Sequence, residues 1–481
     1  MQRFITAFFS LLLICGFWAK PAAADDSANA APVVALVAAP DSPPSGGSNS
    51  SQKQVPETLL EFGMEERVRV EDYDNTGEFL RSSEDVQQRT RFRTKMWARW
   101  TPTGSVEFYV RLGNEFKKTT DPGLKWECNA PDEGFVDNLY LDFKQVVLPG
   151  LSLKVGRQDL VKGEGFLLTE YTAGDGSRST YMNGFDLAYS VRKSSLHLFG
   201  VAATIKDHYL PRINDADRYT NETDNSMLGL YYENRSHRGT EVDAYWLYSS
   251  ELRDFRNHTS AAYIPDRHLS TIGGRVLHKF TKTLSAAGEF AYQVGRQHAN
   301  AARLMPETDI RAWGGYAYAR KEFDRSWKPF VQVAEYFYSG DQNETDNRAT
   351  GFDPVFGRWP GRSELLAYGL QKEKGFAYYS NMRLASVQAG LSPLKQLKAS
   401  VSYQRVDAFY PNAPGNSEIF STGTHRGDLF GVKGEVMLNN NWKGHILYEA
   451  MLPGDFYVGN DFGHFFRFEV TYTFRKALLK H

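Results

Sequence analysis

Two cysteines in 481 residues rule out a disulfide framework. One of them, Cys15, falls inside an N-terminal stretch built like a secretory signal. Arg3 supplies its positive region, Phe4 to Phe17 its apolar region, and Ala22-Ala23-Ala24 an A-x-A cleavage site before Asp25. Ile14 precedes Cys15 where a lipoprotein signal carries a small residue, so cleavage after residue 24 is the expected processing. Cys128 is then the single thiol of the exported chain, and its stability must come from hydrogen bonding and packing. The rest of the chain also lacks any apolar run of the ~18–20 residues that a membrane helix needs. Mean hydropathy is low, -0.48, and the net charge of -1 points to no class of partner; no nucleic-acid partner is expected. The eleven histidines are scattered, and none pairs with Cys, Ser or Asp at a spacing suited to metal binding or nucleophilic catalysis. GDGS at Gly174 to Ser177 lacks the spaced acidic ligands of a calcium loop and reads as a turn. No catalytic site, metal or cofactor is expected, and the chain does not read as an enzyme.

What is abundant is alternation. From Phe466 to Phe474, Phe466, Phe468, Val470, Tyr472 and Phe474 share one parity, and Arg467, Glu469, Thr471 and Thr473 the other. A β-strand sends successive side chains to opposite faces. One face is therefore apolar or aromatic and the other polar, as a strand between lipid and a wet lumen requires. Low hydropathy is no obstacle, because half of every such strand is polar.

The same pattern recurs in about eighteen runs, from 58–72, 86–100 and 104–116 to 426–439, 441–452 and 463–474. Their ~9–13 residues match what a tilted strand needs to cross a bilayer. Every second connection is tight, as at Thr101-Pro102-Thr103, Leu148-Pro149-Gly150 and Ser392-Pro393-Leu394. The others are long, as at 73–85, 159–179 and 340–376. Short periplasmic turns opposite long external loops are the habit of outer-membrane barrels. The expected fold is all-β: a transmembrane, antiparallel, up-and-down barrel of about eighteen strands over 57–474. A signal peptide (1–24) and a flexible Ala/Pro/Ser-rich periplasmic lead (25–56) precede it, and a short C-terminal tail (475–481) follows. Trp97, Trp100, Trp313, Trp327 and Trp442 fall near strand ends, where aromatic girdles form. The long loop 340–376 has the length to fold inward as a plug, with Trp359-Pro360 as an anchor.

Parity also sorts the charges. In RTRFRTKMWARW, Arg89, Arg91, Arg93, Lys95 and Arg99 share one face with Trp97, while Phe92, Met96, Ala98 and Trp100 share the other. A cation at the midplane of a barrel's lipid face costs about 2–4 kcal/mol, so five on one face must line the lumen. Arg67, Arg69, Arg111, Lys144, Arg192, Arg275, Lys433 and Arg467 join them by the same argument. Guanidinium forks bind carboxylates bidentately and stay charged at any working pH. A low-dielectric wall around such a row concentrates anions. The competing interpretation rests on Glu65, Glu71, Glu107, Asp142, Asp186, Glu289, Glu435 and Glu469 on the same faces, which would pair with the cations and merely order the wall.

These stretches resemble a family. LKVGRQDL (Leu153 to Leu160) resembles the Gly-Arg-Gln signature of the alginate export family of outer-membrane barrels, followed by Arg178 and NGFD (Asn183 to Asp186). EERVRVE and QRTRFRTKMWARW are similar to that family's Arg-bearing opening hairpin, and FDPVFGRWPGRSELLAYGL (Phe352 to Leu370) to its long-loop segment. The resemblance implies an eighteen-stranded barrel with an electropositive lumen that passes an anionic exopolysaccharide, and it makes Arg157, Arg91 and Arg93 polymer contacts. Arg157 shares the parity of Leu151, Leu153 and Val155, so it reaches the lumen only past the membrane edge or through a bulge. The expected polyanion contacts are Arg67, Arg69, Arg89, Arg91, Arg93, Lys95, Arg111, Arg157, Arg192, Lys433 and Arg467. The expected partners are outer-membrane lipid, an anionic polysaccharide, the barrel-assembly machinery and periplasmic polysaccharide-synthesis proteins, around a monomer moving its cargo passively. The alternative is a general porin, or one for small anions and oligosaccharides.

Overall fold

The computed structural model describes residues 59–81, 86–119, 132–169, 182–214, 224–252, 266–299, 306–343, 346–356, 363–368, 380–412 and 418–480. The expected signal peptide and lead (1–56), GDGS, Arg178 and Trp359-Pro360 lie outside the described residues.

Eighteen long strands form one closed antiparallel barrel. In chain order they are β1 (Leu59–Asp74), β2 (Val86–Thr103), β3 (Val106–Thr119), β4 (Gly134–Lys144), β5 (Leu151–Arg157), β6 (Asn183–Val191), β7 (Ser194–Ala203), β8 (Asp224–Asn234) and β9 (Thr240–Leu252). There follow β10 (Arg267–Lys279), β11 (Leu284–Gln297), β12 (Thr308–Glu322), β13 (Phe330–Tyr338), β14 (Met382–Leu394), β15 (Leu397–Asp407), β16 (His425–Met437), β17 (Trp442–Pro453) and β18 (Gly463–Lys480). Each pairs with its sequence neighbour, and β1 closes the ring against β18 with Val68 opposite Val470. The connections alternate as expected: two to seven residues at one end, nine (454–462) to forty-three (339–381) at the other. Among the described residues, two two-residue strand pieces, Arg212–Ile213 and Arg348–Ala349, and one short helix, α1 (Glu364–Tyr368), lie within the long loops.

Burial follows the predicted parity. Along β2, Gln87, Arg89, Arg91, Arg93 and Lys95 are buried on the inner face, while Met96 and Trp100 are about half exposed on the outer one. The outer surface carries Phe290, Tyr292, Val333, Val401, Phe430 and Val432 into lipid. Near the short turns it carries Trp100, Trp327, Trp442 and Phe280, an interfacial aromatic belt. Trp97 differs from that expectation. Its ring lies inside, over Gly63, where a Cβ would sit 2.4 Å from the indole, and it stacks against Tyr109.

The end of the chain also differs. Residues 475–480 are not a tail but the last third of β18, paired with the start of β1 up to Leu59 opposite Lys480. A register irregularity at Leu60/Glu61 absorbs one residue, and Arg475 pairs with the Glu61 carboxylate. The opening residues of β1 offer backbone partners that would otherwise form an open sheet edge.

The apolar core sits inside the barrel. The inner wall of β8 to β13 carries Tyr231, Tyr245, Tyr316, Tyr318, Tyr336 and Tyr338, and two external loops turn inward onto it. Phe166 of the β5–β6 loop packs on Tyr316, Tyr338 and Phe352, and Leu168 bridges to Phe356 of the long loop. The long loop does fold inward. Asp353 exchanges backbone hydrogen bonds with the Gln293 side chain, and α1 lies against β17 and β18.

Candidate functional site

The inner wall of β18, β1, β2 and β3 carries a ladder of guanidinium groups threaded by carboxylates. Alternation places them there: Arg67, Arg69 and Glu71 share the inner parity of β1, and Arg89, Arg91, Arg93 and Lys95 that of β2. In-register pairing sets Arg67 opposite Arg93, Arg69 opposite Arg91 and Glu71 opposite Arg89. On the other side of β1, Glu71 faces Arg467.

Glu71 is the hub. It is fully buried and lies 2.6 Å from Arg467, 2.7 Å from Arg89, 3.5 Å from Arg91 and 3.6 Å from Arg69. Glu115 on β3 meets Arg67 at 3.2 Å and Arg91 at 3.4 Å. Glu469 takes Arg69 at 2.5 Å, and Glu65 takes Arg93 at 2.7 Å. Among the described residues, six guanidiniums (Arg67, Arg69, Arg89, Arg91, Arg93 and Arg467) thus share four wall carboxylates, and Glu364 of the long loop adds a fifth at Arg467, a formal excess of one positive charge. Below them, Asp137 bridges Arg111 at 2.5 Å and Lys95 at 3.3 Å, and Arg111 also meets Asp159 at 2.9 Å.

The ladder therefore merges the two interpretations of the sequence. The cations line the lumen, and they are held in ion-paired rows. Multiple partners fix each planar fork.

Not every expected contact belongs to it. Arg192 is not on the wall: it is exposed in the two-residue β6–β7 turn at the periplasmic end, at a φ of 55°. The strand ends at Val191, one residue before parity would have placed Arg192 inside. Lys433 is on the inner face of β16, paired with Glu435 at 2.9 Å and away from the Glu71 cluster. Arg157 does turn inward, and the cause is local. Gly156 adopts a φ of +128°, and a Cβ there would meet the Leu139 carbonyl oxygen at 2.2 Å. That turn frees Arg157 to bind Asp207 at 2.6 and 2.9 Å, the Val136 carbonyl at 2.7 Å and Asn183 Oδ1 at 3.0 Å. Only glycine tolerates this backbone without strain. The Gly-Arg of the signature is thus a buried clamp on the β7–β8 loop.

Sequence reasoning passed over Glu115, Asp137, Asp159 and Glu364. Glu115 was legible from parity alone. Asp137 was not: a register shift in the β3–β4 pairing, with Arg111 opposite Asn138 and Leu112 opposite Val136, inserts it into the inner face. Asp159 and Glu364 arrive from loops. Among the described residues, no cluster of His, Cys, Asp or Glu is arranged to hold a metal ion.

The fold has solved relatives. OpdK of Pseudomonas aeruginosa superposes with a TM-score of 0.53 at 14% identity, covering 87% of this chain and 99% of its own. OccK2 (OpdF) of the same organism, solved in complex with glucuronate, gives 0.52 at 13% identity, covering 87% and 98%. OccK5 (OpdH) gives 0.51 at 10% identity over 87% and 98%. No curated protein sequence matches this chain significantly. The shared architecture is that of outer-membrane porins, and the molecule is a channel of the bacterial outer membrane. The sequence pattern of the alginate export family matches residues 58–462, and the chain belongs to that family.

Proposed function

We propose that this channel passes an anionic, uronate-bearing saccharide polymer by passive diffusion along the guanidinium ladder. The observation that carries this reading is the ladder on the lumenal wall of β18, β1, β2 and β3, in which six guanidiniums meet four wall carboxylates and the loop carboxylate Glu364. Stepwise passage needs sites that are favourable yet exchangeable. Arginines that already share carboxylates offer such sites, because an incoming carboxylate replaces one partner with another of the same chemistry. Family membership supports a polysaccharide as cargo. The aromatic face of β18, Phe466 to Phe474, is the feature of this strand offered to the barrel-assembly machinery. Periplasmic polysaccharide-synthesis proteins are the partners this reading implies, around a monomeric channel.

A second reading, a porin for small sugar acids, draws on one feature. The inturned segments around Phe166, Phe352 and α1 occupy part of the lumen, which suits single uronates better than a chain of them. The glucuronate in complex with the similarly folded OccK2 is a molecule of that size.

Planar-bilayer recording tests both. A polymer channel carries anion-selective current that soluble uronate oligomers block, and Arg91→Glu combined with Arg93→Glu moves the reversal potential toward cations. Block by glucuronate with none by the oligomers selects the small-solute reading. An unchanged reversal potential in the double variant removes the ladder from either one.

A further inference from the structure

Among the described residues, five carboxylates reach the wall arginines from loops: Asp159 to Arg111, Glu164 to Arg275, Asp207 to Arg157, Asp353 to Arg267 and Glu364 to Arg467. They are not equivalent. Asp207 is sealed, with 1% of its side chain exposed, and its arginine is sealed too. Glu364 keeps 24% of its side chain exposed while sitting 3.0 Å from Arg467, a member of the ladder that is itself 2% exposed, so the two pairs differ at the carboxylate and not at the arginine.

The two carboxylates on Arg467 also differ in origin. Glu71 is a wall residue, fully buried and shared among four guanidiniums. Glu364 belongs to α1, a helix of the longest external loop. α1 has anchors besides the Glu364 side chain. Glu449 on β17 accepts hydrogen bonds from Ser363 Oγ at 2.9 Å and from the Leu365 amide at 2.7 Å, and Leu365 and Leu366 are buried. The Glu364 side chain can therefore leave Arg467 while the helix stays in place.

We infer that Arg467 is a carboxylate subsite on the outer rung of the ladder and that Glu364 occupies it in place of a uronate until cargo arrives. The inference rests on the proposed anion-conducting function and adds a named site to it. An incoming uronate carboxylate has the charge and the two-oxygen geometry of Glu364, so the exchange leaves Arg467 paired throughout. Because Glu364 is tethered, it competes at a high effective concentration, and uronate affinity at the external mouth is set by that competition. Its displacement couples entry of cargo to release of the loop carboxylate into the lumen.

The test is block of single-channel current by D-glucuronate added from the external side to wild type, Glu364→Gln and Glu364→Asp. Removing the internal competitor should lower the half-blocking concentration at least threefold in Glu364→Gln. Glu364→Asp keeps the charge and shortens the reach by one methylene, so it should shift in the same direction. Equal half-blocking concentrations in all three proteins overturn the subsite while anion conduction stands. A shift in Glu364→Gln with none in Glu364→Asp also overturns it, because general electrostatics then accounts for the change. Absence of anion preference in the wild type overturns the functional reading itself.

Discussion

Arg157 grips Asp207 with two hydrogen bonds of 2.6 and 2.9 Å, each side chain 1% exposed, and so ties the end of β5 to the loop that follows β7. The pair joins two stretches fifty residues apart. The Val136 carbonyl and Asn183 also accept from the guanidinium. A charge pair removed from water this thoroughly depends on both members, because either one alone would be buried without compensation.

Arg157→Ala should therefore destabilise the barrel by about 3–5 kcal/mol, the usual cost of breaking a buried pair from one side. Replacing Arg157 with Met and Asp207 with Leu together should recover much of the loss. Urea unfolding in detergent, followed by heat-modifiable gel mobility, measures this. A polymer contact would behave oppositely, with uronate block weakened and stability unchanged.

Glu71 gathers Arg467, Arg89, Arg91 and Arg69 around one carboxyl group. Glu71→Gln removes a negative charge from the ladder and raises its formal excess of positive charge from one to two. Two effects of opposite value to the channel follow. The folded fraction should fall, because four guanidiniums lose the charge that holds them together. The channels that do fold should show a reversal potential displaced further toward anions. A displacement toward cations would mean that Glu71 does not govern the field in the lumen.

Val470 faces lipid on β18, opposite Val68 of β1 across the closing seam. Val470→Arg should cost about 2–4 kcal/mol if its side chain lies at the bilayer midplane. It should also lower the amount of barrel recovered from outer membranes. Wild-type amounts of the variant would contradict the outward assignment of this face.

Much of this molecule is legible in alternation. The parity of Phe466 to Phe474 names the lipid face of β18 without coordinates, and Arg89 to Lys95 fall inside by the same rule. Loop lengths identify the two ends. Parity fails wherever the backbone breaks its period of two. Gly156 turns Arg157 inward from the parity of Val155, and the irregularity beside Leu112 brings Asp137 onto the inner face. Arg192 misleads for a simpler reason: β6 ends one residue sooner than its pattern suggests. The tail after Phe474 reads as superfluous because its partner, the start of β1, lies some 400 residues away in the chain.

The amino-acid sequence by itself determined that apolar and polar side chains would fall on opposite faces of about eighteen strands, since each peptide unit reverses the side-chain direction. It thereby determined that the cations would face away from lipid. Only the tertiary structure decided which carboxylate meets which guanidinium. That choice depends on register between neighbouring strands and on loops that return into the lumen, and neither is carried by a local repeat. Glu71 beside Arg467 and Glu364 above it come from three parts of the chain that closure of the ring brings together.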